Sequence, residues 1–272
     1  MRELEQADQA FLNELTQILR GEHWDPHHFL GLHPFFEGKK IIRLYRPNAK
    51  EVFLELFGKI EITRKIHEGG LFDHVVDGNT TYKDYRVYHQ NGLLAEDPYA
   101  FPPMWGETDS YLFNQGVHYQ LYEVMGAHEC THLGIRGVKF AVWAPNAMRV
   151  SVVGDFNFWD GRINPMRSLG ESGVWELFIP GLQNGERYKY EIKTQQGEVI
   201  IKSDPYAHAN ELRPMNASKV ASVNFHSWQD FDWLEKRRRE ANDSKPLNIY
   251  EVHLGSWKFN HGRPYTYREL AT

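Results

Sequence analysis

The sequence contains a single cysteine, Cys130, among its 272 residues. An intrachain disulfide is therefore excluded, and a reducing compartment is the simpler expectation. No apolar run approaches the roughly 18 residues of a membrane span, and the polar, acidic N-terminus has no apolar segment typical of a secretion signal. The sequence therefore predicts a cytoplasmic protein with no membrane partner.

The chain also lacks a net positive charge, since its formal net charge is −5. Such a balance gives no overall attraction for nucleic acid. The one basic run, residues 236–239, is flanked by Glu235 and Glu240 and has no aromatic side chains interleaved with it. A nucleic-acid site is the alternative, but the pattern favours a solvated surface. We predict no nucleic-acid partner.

Four histidines lie between residues 23 and 33, which suggests a metal site because imidazole is a common ligand. Their spacing lacks a helical H-x-x-x-H frame, and Cys130 is distant in sequence. We therefore predict no metal ion here.

What the chain does contain is 41% hydrophobic residues, enough for real cores, over a length typical of about two domains. An apolar stripe at helical spacing precedes Gly21, which is a stop signal. This stripe predicts an amphipathic helix over residues 1–22 that packs on the next domain, with a partner-binding helix as the alternative. Its members are Leu4, Ala7, Phe11, Leu15, Ile18 and Leu19.

Between residues 140 and 192, short β-rich runs are separated by Pro-Asn, Asp-Gly and Asn-Gly turns. This alternation of short β-rich runs and turn residues predicts consecutive antiparallel strands of a sandwich. Trp143 and Trp175 lie on these predicted strands, and we interpret both as core residues.

Three short sequence motifs occur twice along the chain in the same order. The matched pairs are Pro47-Asn48-Ala49 with Pro145-Asn146-Ala147, Gly70 with Gly173, and residues 97–100 with residues 204–207. An internal duplication is the economical explanation. We therefore predict a mostly β protein with two tandem immunoglobulin-like antiparallel β-sandwiches at residues 23–118 and 119–225. An irregular surface linker is expected from about residue 102 to residue 120.

Several phrases resemble a known family. V-V-G-D-F-N-F-W-D-G at 152–161, W-E-L-F-I-P-G at 175–181 and K-S-D-P-Y-A at 202–207 resemble the carbohydrate-binding sandwich of glycogen (1,4-α-glucan) branching enzymes. Residues 25–33 resemble the entry motif of that family, where it is structural, and I-Y-E-V-H-L-G-S-W at 249–257 resembles the first strand of its catalytic barrel. Isoamylase-type debranching enzymes and trehalose-forming hydrolases carry one similar sandwich but have a different sequence in that strand.

The resemblance implies an enzyme that transfers an α-1,4-glucan segment to a 6-hydroxyl, forming α-1,6 branches in glycogen biosynthesis. Such chemistry uses a nucleophilic carboxylate and an acid/base carboxyl about 5–5.5 Å apart. In the family both lie on later barrel strands, so we assign no catalytic residue and no cofactor. Residues 226–272 are expected to form a linker and the truncated start of a (β/α)₈ barrel, which needs about 250 residues. Without the missing barrel, the chain is expected to be inactive.

A non-catalytic glucan-binding module is the alternative function. Free glycogen-binding sandwiches, such as that of the regulatory subunit of AMP-activated kinase, stack glucose on two tryptophans and use a lysine. By motif, Trp159 matches the first tryptophan and Lys189 matches the lysine, while Asn157 is a nearby donor for sugar hydroxyls. The place of the second tryptophan is taken by Ile201. The resemblance implies an α-1,4-glucan partner on one aromatic platform, although Trp159 packed against the linker or barrel is the competing interpretation.

An adhesion protein would share the sandwich architecture. It would normally bring a signal peptide and often paired cysteines. Neither feature occurs in this sequence.

Overall fold

The computed structural model describes residues 2–89, 92–222, 227–240, 246 and 248–271, with the side chains of the first helix described from residue 9 onward. The chain divides into two units, residues 1–223 and 224–272. No described helix is long and apolar enough to cross a membrane.

The elements of the first unit follow in chain order. They are α1 (Arg2–Arg20), β1 (Gly31–Pro34), β2 (Lys40–Tyr45), β3 (Phe53–Leu56), β4 (Lys59–Ile62), β5 (Arg64–His67), β6 (Leu71–Val76), β7 (Tyr85–Tyr88), β8 (Leu94–Ala95), α2 (Glu107–Asn114), β9 (Gly126–His132), β10 (Ile135–Trp143), β11 (Ala147–Gly154), β12 (Arg167–Ser168), β13 (Val174–Pro180), β14 (Arg187–Thr194), β15 (Val199–Lys202), β16 (Ala209–Asn210) and β17 (Ser218–Lys219).

The opening helix forms and packs on the rest of its unit, as the apolar stripe predicts. Leu15 and Ile18 are buried in a cluster that also contains Val150 of β11. At the end of the helix, Lys193 of β14 donates to the carbonyl oxygen of Arg20 at 3.0 Å. From residue 9 onward, the apolar stripe of the helix is therefore packed against the rest of its unit.

The first sandwich consists of two four-stranded antiparallel sheets, in the orders β1-β2-β6-β5 and β4-β3-β7-β8. Alternate residues of both sheets meet in one core, because successive side chains of a strand point to opposite faces. The buried members are Ile42, Leu44, Val52, Leu54, Phe72, Val76, Tyr85 and Val87.

The second sandwich repeats this plan. One sheet has the order β12-β13-β10-β9, and the other joins β11 to β14, which is flanked on its second side by β15 and β17. The enclosed core includes Val138, Phe140, Val142, Val150, Val152, Trp175, Leu177, Ile179, Tyr188 and Tyr190. Mostly β architecture with antiparallel sandwich sheets is therefore confirmed. The immunoglobulin-like description and the domain boundaries stay predictions.

The duplication is visible in the sheet orders. The order β1-β2-β6-β5 corresponds to β9-β10-β13-β12, strand for strand in chain order. In both copies the Pro-Asn-Ala phrase forms the turn that crosses from one sheet to the other. The turn closes with a bond from Ala49 N to Arg46 O at 3.2 Å in the first copy, and from Ala147 N to Ala144 O at 3.1 Å in the second. The predicted equivalence of the two phrases is confirmed.

The paired glycines have the same role. Arg46 N donates to Gly70 O at 2.7 Å, and Ala144 N donates to Gly173 O at 2.8 Å. Both glycines have a positive φ, and a Cβ on either would collide with the turn opposite. Only glycine combines this conformation with such a close approach.

The segment between the sandwiches is more regular than the predicted surface linker. It contains α2, and Trp105 just before it is buried. The buried carboxylate of Glu176 on β13 accepts from Met104 N at 2.8 Å and from Trp105 N at 2.7 Å. These bonds hold the segment over the outer face of the second sandwich, which proline-rich composition alone does not indicate.

One of the two predicted core tryptophans is exposed. Trp175 is buried, as predicted, but Trp143 is 57% exposed. The prediction for Trp143 was wrong because a strand alternates its faces. Phe140 and Val142 point into the core, so Trp143 points outward, and its Nε1 donates to Ser172 O at 3.2 Å.

The second unit contains α3 (Phe231–Glu240), α4 (Leu254–Trp257), β18 (Phe259–Asn260), β19 (Arg263–Pro264) and α5 (Tyr267–Leu270). The basic run lies on the exposed helix α3. The strand expected from the barrel resemblance does not form: residues 248–253 have no regular structure, and residue 247 lies outside the described residues. A barrel strand needs a hydrogen-bonded neighbour on each side, and no described part of the chain supplies one.

Candidate functional site

The candidate site is built on the loop that follows β11. β11 ends at Gly154, and the loop then runs back along the same strand. Val152 N donates to Asn164 O at 3.1 Å, and Met166 N donates to Val150 O at 2.8 Å. These backbone bonds fix the returning end of the loop to β11, from which its first end continues directly.

Asn157 holds the loop from inside. Its Nδ2 donates to Val152 O and to Asn164 Oδ1, each at 2.8 Å, and its Oδ1 accepts from Gly154 N at 2.9 Å. The side chain is only 2% exposed. Both hydrogens of the carboxamide are therefore used, and the sequence-based role of Asn157 as a donor to sugar does not fit its burial. It positions the loop instead.

Phe158 and Trp159 follow with φ values of 56° and 60°. Two successive bulky residues in the left-handed region are unusual, and each costs on the order of 1–2 kcal/mol. The conformation is fixed by bonds from Trp159 N to Gly154 O at 2.9 Å and from Asp160 N to Asn157 O at 3.1 Å. Strain of this kind that presents aromatic rings at a surface is a signal of a binding site.

The indole of Trp159 is held at its edge and is partly buried. Its Nε1 donates to Asp155 Oδ1 at 3.0 Å, and Asp155 Oδ2 accepts from Arg187 Nε at 2.7 Å. Arg187 also pairs with Glu211 at 3.0 Å. This chain of polar contacts fixes the ring plane before any ligand arrives.

Trp159 lines a groove of about 520 Å³, which we call the tryptophan groove. The other side chains along it are apolar or charged, and include Phe158, Val199, Arg20, Asp160, Arg162 and Glu191. Most charges are paired within the groove. The guanidinium of Arg162 contacts Asp160 at 2.6 Å, and Arg149 contacts Glu191. Planar, paired polar groups beside an aromatic face suit a neutral, hydroxyl-rich ligand.

The electrostatics of the groove follow from these pairs. Burial by itself would raise the pKa of Asp160, but the hydrogen bonds from Arg162 outweigh it and lower that pKa below its usual value. Asp160 is therefore ionised at neutral pH and remains paired.

Lys189 lies on the same outer sheet face. It projects between Arg187 and Glu191 of β14, whose side chains contact Asp155 and Arg149. Its Nζ donates to Asn216 Oδ1 at 2.5 Å. Lys189 does not line the tryptophan groove but borders it on the sheet.

Ile201 shares this face as well. It pairs with Glu191 across the sheet and is 51% exposed, and Val199 is the next outward residue of β15. The structure therefore brings Trp159, Lys189 and Ile201 to one surface. Sequence reasoning missed Val199 and Phe158, although the period-2 pattern of β15 could have indicated Val199.

The histidines of residues 23–33 contact other protein groups, and His23 and His28 share the Glu14 carboxylate. His23 Nε2 bonds to the Glu14 carboxylate at 2.5 Å, His33 Nε2 bonds to Leu30 O at 2.7 Å, and His27 is buried. Among the described residues, no group of three or more His, Cys, Asp or Glu side chains could hold a metal ion.

Comparison with known proteins identifies the class. Residues 124–207 match the family model of carbohydrate-binding module 48 (isoamylase N-terminal domain). This match covers the second sandwich from β9 to β15, including the strained loop and β14. The second sandwich is therefore similar in sequence to this class of module.

The rest of the chain matches a second family model and full-length relatives. Residues 12–99 match the model described as alpha-1,4-glucan branching enzyme GlgB, N-terminal domain. The 1,4-alpha-glucan branching enzyme GlgB of Protochlamydia amoebophila (strain UWE25) is 58% identical over 266 residues, which cover 97% of this chain and 37% of the relative. The corresponding enzyme of Chlamydia felis (strain Fe/C-56) is 49% identical over 258 residues, covering 95% of this chain and 35% of the relative. Over nearly its whole length the chain is therefore similar to the N-terminal part of these GlgB branching enzymes, and it spans only about a third of their length.

Solved structures add little. A pullulanase from Anoxybacillus sp. LM18-11, solved with maltotriose, matches 83% of this chain and 30% of its own at 15% identity, with a TM-score of 0.31. A TM-score this low does not establish a common arrangement.

Proposed function

We propose that this chain is the glucan-binding, N-terminal part of a cytoplasmic 1,4-α-glucan branching enzyme, and that it holds an α-1,4-glucan at the tryptophan groove. In this proposal the whole protein transfers a glucan segment to a 6-hydroxyl. We assign no catalytic residue in the chain, whose own activity is binding. The missing part of the enzyme, including its barrel, is the further partner that the proposal requires.

The observation that carries the binding proposal is the strained presentation of Trp159. The loop accepts two left-handed aromatic residues and fixes the indole edge through Asp155. A flat apolar face beside charged groups can stack on the C–H face of a glucose ring while those groups bond its hydroxyls. Because the orientation of the indole is fixed beforehand, little side-chain entropy is lost on binding.

The expected affinity is weak. Ile201 offers an aliphatic surface in place of a second ring, so a single sugar unit is stacked and few atoms are desolvated. Ordering a flexible glucan also costs entropy. We expect a dissociation constant for maltoheptaose on the order of 1 mM, or about −4 kcal/mol.

The test is titration of the whole chain with maltoheptaose, followed by calorimetry or NMR. Trp159→Ala is expected to weaken binding at least about tenfold, because the stacking face is lost. Trp143→Ala is the matched control, since Trp143 is also partly exposed and hydrogen-bonded through Nε1 but lies on the other sheet. The control is expected to bind like the wild type.

Two results would contradict the proposal. The first is unchanged binding in Trp159→Ala, and the second is an equal loss in both tryptophan variants. Thermal unfolding of each variant separates lost contact from lost fold, because a core role for Trp159 would lower the melting temperature while sugar binding persisted.

A further inference from the structure

A second groove, which we call the inter-sandwich groove, lies on the other side of Phe158. It has a volume of about 510 Å³ and is lined by the Pro47–Phe53 turn region and Tyr88 of the first sandwich, together with Phe158 of the second. Phe158 also lines the tryptophan groove. The two grooves therefore meet at one exposed ring.

The conformation of the loop explains this position. Phe158 is 62% exposed, with a φ of 56°. An exposed ring in the left-handed region gains nothing from core packing that offsets its strain. The strain instead keeps Phe158 and Trp159 at the surface as neighbouring rings, with Phe158 on the ridge between the grooves.

The inter-sandwich groove has the chemistry of a sugar site. Phe158, Tyr88 and Phe53 supply aromatic surface, and Asn48 and Glu51 are exposed at its rim. Within the described part of the chain, no side-chain hydrogen bond or ion pair involves Asn48 or Glu51. Free amide and carboxylate groups can bond paired hydroxyls.

The charges of the groove favour a neutral ligand over an anionic one. Arg46 is the cation of the lining, but it is buried and donates to Tyr45 O and to His89 Nδ1. The exposed charge at the rim is the carboxylate of Glu51. A phosphate or an acidic peptide would meet no exposed cation in this lining.

We propose that the inter-sandwich groove is a second subsite for the same α-1,4-glucan, so that one chain crosses Phe158 from Trp159 to Tyr88. This inference rests on the proposed function and extends it. The first sandwich then supplies the aromatic surface that Ile201 does not supply on the second. A ligand long enough to reach both grooves gains the second contact without a second loss of translational freedom.

The experiment compares a short and a long ligand on the whole chain. Maltotriose reports on the tryptophan groove, and maltoheptaose can occupy both grooves. The wild type is expected to bind maltoheptaose about tenfold more tightly than maltotriose. Tyr88→Ala is expected to remove this tenfold advantage while leaving maltotriose binding within about twofold. Trp159→Ala is expected to weaken the binding of both ligands.

Two further variants guard against a general loss of structure. Asn48→Gly removes only the rim amide, and glycine readily takes the φ of 68° at this position, so the fold is retained. It is expected to weaken maltoheptaose binding about threefold. Phe57→Ala is the matched control for Phe158→Ala, because Phe57 is 59% exposed with a φ of 48° but lies outside the groove. Phe158→Ala is expected to weaken maltoheptaose binding, and Phe57→Ala to leave it unchanged.

The outcomes separate the two proposals. If Tyr88→Ala and Asn48→Gly bind maltoheptaose like the wild type while Trp159→Ala does not, the second subsite is wrong and the proposed function stands. If the wild type binds neither ligand, the proposed function fails and the subsite fails with it. If Tyr88→Ala binds maltotriose like the wild type but no longer binds maltoheptaose more tightly than maltotriose, the result supports one glucan chain that occupies both grooves.

Discussion

His89 lies just after β7, next to the buried guanidinium of Arg46, whose Nη2 donates to His89 Nδ1 at 3.4 Å. Burial and the positive charge of Arg46 lower the pKa of His89 to about 3. The ordinary value is about 6.5 in an unfolded chain. The folded protein therefore keeps this imidazole neutral under conditions in which the unfolded chain protonates it.

This difference predicts a loss of stability in acid. The folded pKa is lower than the unfolded pKa, so the contribution is present above about pH 6.5 and is lost as the pH falls toward 3. The slope from this one group is up to about 1.4 kcal/mol per pH unit. The free energy of unfolding, measured in urea at pH 7, 6, 5 and 4, should fall less steeply in His89→Gln than in the wild type. His67→Gln, at an exposed site on β5, is the control, and identical slopes in all three proteins would contradict the prediction.

The burial and contacts of the other predicted site residues depend on their neighbours in the folded chain. Lys189 lies on the outer face of β14, a position that follows from local alternation between the buried Tyr188 and Tyr190. Asn157 was expected to donate to sugar but is buried, because the loop returns to β11 and packs around it. Trp143 was expected in the core but is exposed, because its exposure depends on what covers β10. Motif matching indicates the residue type and cannot supply these neighbours.

Among the elements, the duplicated strands preserve a buried pair in each sandwich. Tyr85 donates its hydroxyl to Asp97 Oδ2 at 3.1 Å, and Tyr188 donates to Asp204 Oδ2 at 2.6 Å. Burial raises the pKa of both aspartates, and it outweighs the hydrogen bonds that they accept, which by themselves would lower the pKa. The aspartate of each Asp-Pro-Tyr-Ala motif thus accepts an equivalent hydrogen bond, from a tyrosine that lies 12 residues earlier in the first copy and 16 residues earlier in the second.

The segment at residues 249–252 is an element whose strand pattern is not realised. Ile249 and Tyr250 are exposed, and no described strand pairs with them. Val150–Val153 of β11, by contrast, are paired with β14. We expect the amides of residues 249–252 to exchange hydrogen on the order of 1,000-fold faster than those of Val150–Val153, after correction for rates in the unfolded chain. Comparable protection would show that residues 249–252 have a strand partner.

For the whole molecule, the main feature is that the two sandwiches meet at a buried contact. Tyr99, in the first copy, places its hydroxyl 3.2 Å from both Ile163 O and Pro165 O in the loop of the second. Phe101 packs edge-on against Phe178 at 4.9 Å between ring centroids. The candidate loop is therefore supported from the first sandwich as well as from its own strand.

This coupling predicts that a change in the first sandwich destabilises the second. Tyr99→Phe removes a buried hydroxyl and should cost about 1–2 kcal/mol. Hydrogen exchange should report the same loss in β6 and in β13, because both would open in one cooperative transition. Tyr206→Phe, at the matching position of the second copy, is the control, since no described hydrogen bond involves its hydroxyl. A loss confined to β6 would show that the sandwiches unfold independently.

The sandwich strands, the duplication and the resemblance to branching enzymes could be predicted from the sequence, because side-chain alternation, turn residues and repeated motifs are local properties of a chain. The burial of Asn157, the exposure of Trp143 and the position of Phe158 between two grooves could not be predicted in this way. Each of these outcomes depends on contacts between residues far apart in sequence, and their burial and hydrogen bonding are settled when the sheets pack. The barrel-like phrase at residues 249–257 shows the converse, since a strand pattern becomes a strand only where another strand accepts its hydrogen bonds.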